Sequence, residues 1–563
     1  MTRIHPDPHW WESAIVYQIY PWSFQDSNGD GAGDLPGIIS RLDYLNGTSD
    51  SLGVDAIWLS PIYPSPMDDF GYDVMDYCAI DPRFGTLADF DRLISEAHRR
   101  GIRIVMDLVL NHTSDQHPWF VESRSSRTSP KRDWYYWAAG KTGHRPPNNW
   151  AARFGGSAWT RDPHTGQYYL HSFLSQQPDL NWTNPAVRDA IFDVVRFWLD
   201  RGVDGFRLDA INWLGKDTNW PDNPRRLAWR SYYRQVHLYD RDQPQTHAAL
   251  RALRAALKDR TDILLVGEAS SDTPGGPAAF YGTGSDELHE VFDFRLLRSS
   301  WDLNAFRRLI YESDRAVPHG GWPPVVFSNH DQSRHIDRYG KNGDPVRRAR
   351  AAALLLFTLR GTPFLYYGEE LGLRDGTLRR SDLRDPYTIR YWPWKAGRDP
   401  ARTPMPWDDS PQAGFTTDKP WLPLSPDWPQ TNVAWEQKHR GSMLSLYKQL
   451  IRLKRTSRAL TSGIYQPVEV EGRECLAYQR VFQSEGQTEA MLIALNFSAR
   501  EQTFSLLETV SIPTRTGTLI LSTHPRRGEE TWTADRFRLG PDEGIIVRLE
   551  SHAHASSLDN DPR

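Results

Sequence analysis

Three apolar runs, each delivering a carboxylate, decide the fold of this chain. They read Gly205-Phe206-Arg207-Leu208-Asp209, Leu264-Leu265-Val266-Gly267-Glu268 and Val325-Val326-Phe327-Ser328-Asn329-His330-Asp331. Each begins with apolar, largely β-branched or aromatic residues over the length of a strand and places an acid at or just past its end. Where successive parallel strands close into a barrel, their carboxyl ends converge on one face. The sequence therefore predicts that these three acids meet in space.

The rest of the chain supplies the other strands of such a barrel. From about residue 14, short apolar strands alternate with amphipathic helices, which is typical of parallel α/β folds. Helices are predicted near Leu35–Leu45 and Leu87–Arg100, from Asn184-Pro185 to Arg201, and at Met443–Arg455. The eight predicted strands are Ala14–Ile19, Asp55–Leu59, Ile102–Leu108, Val203–Leu208, Ile263–Val266, Glu290–Phe294, Pro324–Phe327 and Pro363–Tyr366. We therefore predict an α/β chain with a (β/α)8 TIM barrel.

Two segments depart from this alternation. Residues 111–181 are rich in Trp, Arg, Ser, Pro and Gly, and a structureless loop of that length is rare, so we predict an inserted subdomain after strand three. Residues 461–550 read as a C-terminal all-β sandwich, with strands at Glu469–Tyr478, Met491–Asn496, Gly517–Leu521 and Gly544–Leu549. The barrel would then comprise residues 1–110 and 182–460, and the polar tail at 551–563 is predicted to be disordered.

Composition excludes several classes of function. The chain has 563 residues, of which 25% are charged and 39% hydrophobic, and its net charge is −4, which argues against a nucleic-acid footprint or a polybasic membrane surface. Its two cysteines, Cys78 and Cys475, exclude a disulfide framework. Neither a signal peptide nor a membrane-spanning run is visible. We expect a cytoplasmic protein, a monomer or weak homodimer, whose partner is a small molecule.

The acids themselves suggest the chemistry. Arg207 and Asp209 are two residues apart, so on a strand they share a face, and the cation would keep Asp209 anionic, as a nucleophile must be. Glu268 ends an apolar strand, where desolvation would raise its pKa toward that of a proton donor. Two carboxylates flanking one bond are what glycosidic cleavage requires. A purely structural Arg–Asp pair remains the alternative at this point.

Four ordered segments together resemble glycoside hydrolase family 13, the α-amylase superfamily. They are Asp107-Leu108-Val109-Leu110-Asn111-His112, Gly205–Asp209, Gly267-Glu268 and Asn329-His330-Asp331. The resemblance implies Asp209 as nucleophile, Glu268 as acid/base and Asp331 as the acid that steadies the transition state. It also implies that His112, Arg207 and His330 hold the sugar at the cleavage point.

Further segments resemble the α-glucosidase and oligo-1,6-glucosidase branch. Gln177-Pro178-Asp179-Leu180-Asn181 is similar to its fifth signature, and Asp69-Phe70-Gly71-Tyr72 is similar to the pair that closes the non-reducing end of the pocket. The resemblance assigns Asp69 and Tyr72 to substrate binding and implies an arginine facing Asp69. Residues 397–407 would supply it, with Arg398 the first candidate and Arg402 the second.

A loop after the first strand carries oxygen ligands at alternate positions, as a hard cation requires. Its twelfth position is Gly37, so it is not an EF-hand. Similar loops in this branch hold Ca²⁺ or Mg²⁺, which implies a structural site without an organic cofactor; a metal-free turn is the alternative. The implied ligands are the side chains of Asp26, Asn28, Asp30 and Asp34 with the carbonyl of Ala32.

Taken together, the resemblance implies an exo-acting, retaining α-glucosidase. Ala210 follows the nucleophile, where α-1,6-specific relatives typically carry Val, so we expect maltose and short α-1,4-linked oligosaccharides, with glucosyl transfer and sucrose cleavage as side activities. The alternatives are an oligo-1,6-glucosidase or dextran glucosidase, and a sucrose- or trehalose-acting transferase or isomerase using the same three acids. A non-enzymatic relative, such as the ectodomain of transporter heavy chains, would depend on a membrane helix and can lack these acids.

Overall fold

The strands of the computed structural model fall into three groups along the chain. The structure describes residues 9–269, 275–393, 397–472, 474–484, 487–507 and 515–550, so the predicted tail at 551–563 lies outside the described residues. The strands are β1 Val16–Ile19, β2 Ala56–Leu59, β3 Arg103–Val109, β4 Trp137–Ala138, β5 Trp159–Arg161, β6 Tyr168–Leu170, β7 Gly205–Asp209, β8 Leu264–Glu268, β9 Glu290–Phe292, β10 Pro324–Val326, β11 Thr362–Tyr366, β12 Ile464–Val468, β13 Val470–Glu471, β14 Cys475–Ser484, β15 Gln487–Asn496, β16 Gln502–Leu506, β17 Thr516–Ser522, β18 Glu530–Thr533, β19 Phe537–Leu539 and β20 Gly544–Leu549.

Helices separate most of the barrel strands. They are α1 Trp10–Ser13, α2 Leu35–Ser40, α3 Leu42–Leu45, α4 Leu87–Arg99, α5 Pro118–Ser125, α6 Pro185–Asp200, α7 Pro244–Ala256, α8 Arg295–Arg298, α9 Leu303–Ala316, α10 His335–Gly340, α11 Pro345–Thr358, α12 Pro386–Tyr391, α13 Val433–Lys438, α14 Met443–Thr456 and α15 Arg458–Thr461. Helix α6 shows why the sequence folds this way locally. The side chain of Asn184 caps its first turn, Pro185 opens it, and Val187, Ile191 and Trp198 are buried on one face.

The central sheet has eight strands in the order β10-β11-β1-β2-β3-β7-β8-β9, and all its paired strands are parallel. This confirms the predicted TIM barrel. Asp209 and Glu268 are the last residues of β7 and β8, and Asp331 follows β10 by five positions. Their acids therefore lie at the carboxyl ends of the strands, on the face where such barrels bind their ligands.

Two smaller groups of strands flank the barrel. Strands β4, β6 and β5 form a three-stranded antiparallel sheet inside the stretch predicted as an inserted subdomain. At the C-terminal end, a six-stranded antiparallel sheet has the order β12-β14-β15-β20-β17-β18, and a three-stranded sheet has the order β13-β16-β19. The C-terminal region is therefore all-β, as predicted. Within the described residues, no helix has the length and apolarity needed to cross a membrane.

Two sequence predictions of local structure are wrong. Glu469–Tyr478 is not one strand, because Gly472 has a φ of +122° and turns the chain between β13 and β14. The two parts then pair with different neighbours, β13 with β16 and β14 with β12 and β15. The helix predicted near Leu35–Leu45 is interrupted at Arg41, whose φ of −109° and ψ of 6° separate α2 from α3.

Candidate active site

A single pocket at the carboxyl ends of the barrel strands brings together most of the predicted site residues. Asp209, Glu268 and Asp331 line it, although they are distant in sequence. Four other predicted residues also line it, namely Asp69, Tyr72, His112 and Arg398. Arg207, His330 and Arg402 are not among the lining residues; each is 1% exposed or less and contacts one of the lining acids.

Arg207 connects the acids on β3, β7 and β8. Its Nη1 lies 2.7 Å from Asp107 Oδ1 and 2.8 Å from Asp209 Oδ1. The pairing of β3 with β7 places Asp107 directly beside Arg207, which explains the first contact. Nη2 contacts Glu268, whose side chain is 23% exposed. Glu268 therefore does not sit in the purely apolar surroundings that its strand suggested, because a guanidinium shared with Asp209 lies next to it.

Asp331 is surrounded by cations. Its Oδ1 lies 3.2 Å from Arg402 Nη2 and 3.4 Å from Arg398 Nη1. Burial alone would raise the pKa of Asp331, but the guanidinium groups of Arg398 and Arg402 hold it well below its usual range. Asp331 is therefore an anion facing the pocket.

His330 is held by the protein on both ring nitrogens. Nδ1 lies 2.8 Å from Nε2 of Gln18, and Nε2 lies 2.7 Å from the hydroxyl of Tyr72, which in turn donates to Asp107. Burial lowers the pKa of His330 to about 3, so the ring is neutral. His330 thus orients the Tyr72 ring that lines the pocket, whereas His330 itself does not line the pocket.

One end of the pocket is closed by charges. Arg398 Nη2 lies 2.5 Å from Asp69, and the same guanidinium binds Asp385 through Nε at 2.9 Å and through Nη2. Burial raises the pKa of Asp69, whereas the pKa of Asp385 is held at about 2 because Arg398 outweighs its burial. Asp385 was missed by sequence reasoning, and no pattern around Arg384-Asp385-Pro386 distinguishes it from a simple helix cap.

The His112 side of the pocket rests on a buried ion pair. Lys216 Nζ lies 3.0 Å from Asp179 Oδ2 and 3.2 Å from Asn111 Oδ1, and neither Lys216 nor Asp179 is exposed. Asn111 donates to Asp179 over 2.9 Å and lies 3.2 Å from His112 Nδ1. The loop after β7 is thereby tied to the segment 177–181 and to the end of β3.

Aromatic side chains form another part of the wall, and sequence reasoning did not single them out. Phe173 lies 5.2 Å from the His112 ring and 5.3 Å from the Trp213 ring, between centroids. Phe154 lies 5.5 Å from Tyr387, and both line the pocket. For Phe154 and Phe173 the available signal was the density of aromatic residues in 111–181, whereas Trp213 and Tyr387 lie outside that stretch.

Ala210, directly after Asp209, has a left-handed backbone with φ +49° and ψ +40°. This conformation turns the chain from β7 into the wall that carries Trp213. Ala210 is 6% exposed and lines the pocket, so its methyl group borders the space beside the nucleophile. A larger side chain here would meet both a steric and a conformational restriction.

The loop predicted to hold a cation is folded around its own carboxylates. Asp26 accepts from the backbone N–H groups of Asn28, Gly29 and Gly31 and from the hydroxyl of Thr416. Asp34 caps α2 through Gly37 and also accepts from Ser27, and burial raises its pKa. Asn28 and Asp30 each accept one backbone N–H, from Asp30 and Ala32. Among the described residues, no three His, Cys, Asp or Glu side chains form a group able to hold a metal.

Comparisons with known proteins agree with this arrangement. A family model described as the alpha-amylase catalytic domain matches residues 18–463. The chain is 46% identical to a probable alpha-glucosidase of Rhizobium meliloti over 84% of this chain and 87% of that protein. It is 38% identical to an oligo-1,6-glucosidase of Parageobacillus thermoglucosidasius, over 96% and 99% of the two chains. A crystal structure of an alpha-glucosyl transfer enzyme superimposes with a TM-score of 0.87 at 40% identity, covering 97% of this chain and all of that one. The chain belongs to the α-amylase family of glycoside hydrolases, in the branch of the α-glucosidases and oligo-1,6-glucosidases.

Proposed function

We propose that the protein is an exo-acting, retaining α-glucosidase that releases α-glucose from the non-reducing end of maltose and short α-1,4-linked oligosaccharides. The contact of Asp209 and Glu268 with one guanidinium carries the proposal. Two carboxylates bound to the same planar group are close together, which favours the separation of about 5–5.5 Å used for retention over the about 6.5–9.5 Å used for inversion.

In the proposed mechanism, Asp209 attacks the anomeric carbon while Glu268 gives its proton to the departing glycosidic oxygen. The C–O bond to the leaving group breaks as the bond to Asp209 forms, giving a β-linked glucosyl-enzyme. Glu268, now a carboxylate, removes a proton from water, and the hydroxide displaces Asp209 to release α-glucose. The anionic Asp331 stabilises the positive charge that develops on the sugar ring.

The exo preference rests on the closed end of the pocket. Asp69 and Arg398 are buried there as an ion pair, so a longer sugar chain has no path beyond them. The α-1,4 preference rests on Ala210, whose small side chain leaves room beside the nucleophile. Glucosyl transfer as a side activity is supported by the likeness to the transfer enzyme.

The test is product and substrate analysis of the purified protein. We expect α-glucose as the first product of maltose by proton NMR, and a kcat/KM for maltose above that for isomaltose. β-Glucose as the first product would refute retention, and a preference for isomaltose would favour the oligo-1,6-glucosidase alternative. The variant Asp209→Asn should lose about 10⁴-fold or more of kcat while keeping its fold. A rearranged disaccharide from sucrose would favour an isomerase.

We also propose that the loop from Asp26 to Asp34 holds a structural Ca²⁺ or Mg²⁺. The donor set of Asp26, Asn28, Asp30, Asp34 and the Ala32 carbonyl consists of oxygen atoms, which fits a hard cation. When bound, the ion would add charge stabilisation to the loop and take no part in bond cleavage.

A further inference from the structure

We propose that Asp385 is a positioning residue that holds Arg398 so that Asp331 stays available to the glucose ring. This role depends on the proposed function, because it concerns the sugar that the pocket binds. Asp385 is absent from the pocket wall and binds Arg398, so we assign its effect on the sugar to Arg398.

The argument begins with the shape of the guanidinium. Its planar fork has fixed donor directions, so a carboxylate bound along one edge determines where the remaining N–H groups point. Asp385 Oδ1 accepts from both Nε and Nη2 of Arg398, along one edge. With that edge fixed, Nη2 also reaches Asp69 at 2.5 Å, while Nη1 stays 3.4 Å from Asp331.

Charge balance leads to the same conclusion. The guanidinium of Arg398 contacts three carboxylates, those of Asp69, Asp331 and Asp385. Asp385 is fully buried and keeps its negative charge, so it offsets much of the positive charge of the Arg398 guanidinium. If Asp385 were neutral, the guanidinium would turn toward Asp331 and bind it more closely than the present 3.4 Å. The Asp331 carboxylate would then be engaged by Arg398 and less available to the sugar.

Asp385 is itself held in place from two sides. Its Oδ2 accepts from the backbone N–H of Thr388 at 2.8 Å, which caps α12, and its own N–H donates to Asp399 at 2.9 Å. Helix α12 carries Tyr387, which lines the pocket. The contacts with Thr388 and Asp399 therefore fix the carboxylate of Asp385 in the position from which it binds Arg398.

The test compares Asp385→Asn with wild type and with Asp382→Asn. Asp382 pairs with Arg379 on the preceding turn, outside the pocket, so its variant is a matched loss of one Asp–Arg pair. For Asp385→Asn we expect the KM for maltose and the inhibition constant of glucose to rise together, roughly ten- to hundred-fold, since a hydrogen bond to a charged group is lost and the sugar competes with arginine. We expect kcat to change much less, and Asp382→Asn to behave as wild type. Equal values for the two Asn variants would refute the proposal.

A second variant separates positioning from a structural role and remains usable if Asp385→Asn does not fold. The double variant Asp385→Asn/Arg398→Gln removes both charges together. Because Asp385 acts through Arg398, the double variant should have the same KM and the same inhibition constant as Arg398→Gln alone. A further rise in either constant would show that Asp385 acts by another route, such as α12, and would overturn the proposal. If the wild-type protein cleaved no α-glucoside, that result would instead refute the proposed function.

Discussion

Nε2 of His330 lies 2.7 Å from the hydroxyl oxygen of Tyr72, and the two rings are parallel to within 3° at a centroid distance of 5.4 Å. The amide nitrogen of Gln18 can only donate, so it donates to Nδ1 and leaves the proton of the neutral ring on Nε2. The chain of donors then runs from Gln18 through His330 and Tyr72 to Asp107. A pocket-lining ring is thus fixed by a histidine behind it.

Tyr72→Phe should test this chain, because it keeps the ring and removes the link. Nε2 of His330 would lose its partner and Asp107 Oδ2 would keep only Trp58 Nε1, and a buried group without a partner costs about 1–3 kcal/mol. We therefore expect kcat/KM for an aryl α-glucoside to fall by roughly 5- to 150-fold. The control is Tyr447→Phe, whose buried hydroxyl has no hydrogen-bond partner among the described residues. An unchanged kcat/KM in Tyr72→Phe would contradict the assigned role.

Glu268→Gln should affect substrates according to their leaving groups. Cleavage of maltose expels a glucose alkoxide, which is a poor leaving group and needs a proton, whereas a nitrophenolate does not. We expect the rate with maltose to fall by about 10²–10⁴-fold and the first step with a nitrophenyl α-glucoside to fall far less. Pre-steady-state release of nitrophenol measures this step. Equal losses for both substrates would remove Glu268 from the role of acid.

Ala210→Val should shift the bond preference at a cost in stability. The added methyl groups would narrow the space beside Asp209, and a β-branched residue at φ +49° costs about 1–2 kcal/mol. We expect the ratio of kcat/KM for maltose to that for isomaltose to fall. Ala413→Val is the control, since Ala413 has φ +58° but lies outside the pocket. Ala413→Val should lower the free energy of unfolding and leave the ratio of kcat/KM for maltose to that for isomaltose unchanged. If this ratio also stayed unchanged in Ala210→Val, residue 210 would not set the bond preference.

Glu370 should make the free energy of unfolding depend on pH. Its Oε1 accepts from Tyr17 at 2.7 Å and Tyr44 at 2.8 Å, and burial raises its pKa to about 7. Between the ordinary pKa of an unfolded glutamate and about 7, the folded state keeps a proton that the unfolded state has lost. The contribution of Glu370 to stability therefore falls as the pH rises through this window, by roughly 3 kcal/mol in total.

Glu370→Gln removes this dependence. Denaturant unfolding at pH 5 and pH 8 should show that wild type loses stability relative to the variant over this interval. The exposed Glu501 provides the matched control as Glu501→Gln, which should follow wild type. Parallel behaviour of Glu370→Gln and wild type would show that the buried carboxyl does not titrate in this range.

Removal of divalent cations should destabilise the protein if the loop from Asp26 to Asp34 holds one. A ligand that binds only the folded state raises the melting temperature with its concentration. We expect a lower melting temperature in a chelator than in millimolar Ca²⁺, and a smaller difference in Asp30→Asn, which leaves Asp26 and Asp34 intact. Identical melting curves with chelator and with Ca²⁺ would argue for a metal-free turn.

The sequence predicted those parts of the site that depend on strand periodicity. Asp209 and Glu268 end apolar runs, so their meeting follows from barrel geometry, and the structure places both on one pocket wall. Asp385 could not be found in this way, because it reaches Arg398 from a loop whose path depends on tertiary packing. The aromatic wall of Phe173 and Tyr387 was missed for the same reason. The error at Glu469–Tyr478 arose because one glycine can turn an otherwise regular β pattern.

The buried pair of Lys216 and Asp179 has a consequence for how this protein unfolds. Lys216 belongs to the loop after β7, whereas Asp179 belongs to the stretch that follows the small three-stranded sheet. Separating the two regions would break this buried ion pair together with the hydrogen bond from Lys216 to Asn111, and the contacts on both sides of the boundary would be lost at once. The insertion and the barrel should therefore open as one cooperative unit, and amide hydrogens on both sides of the contact should exchange with similar protection.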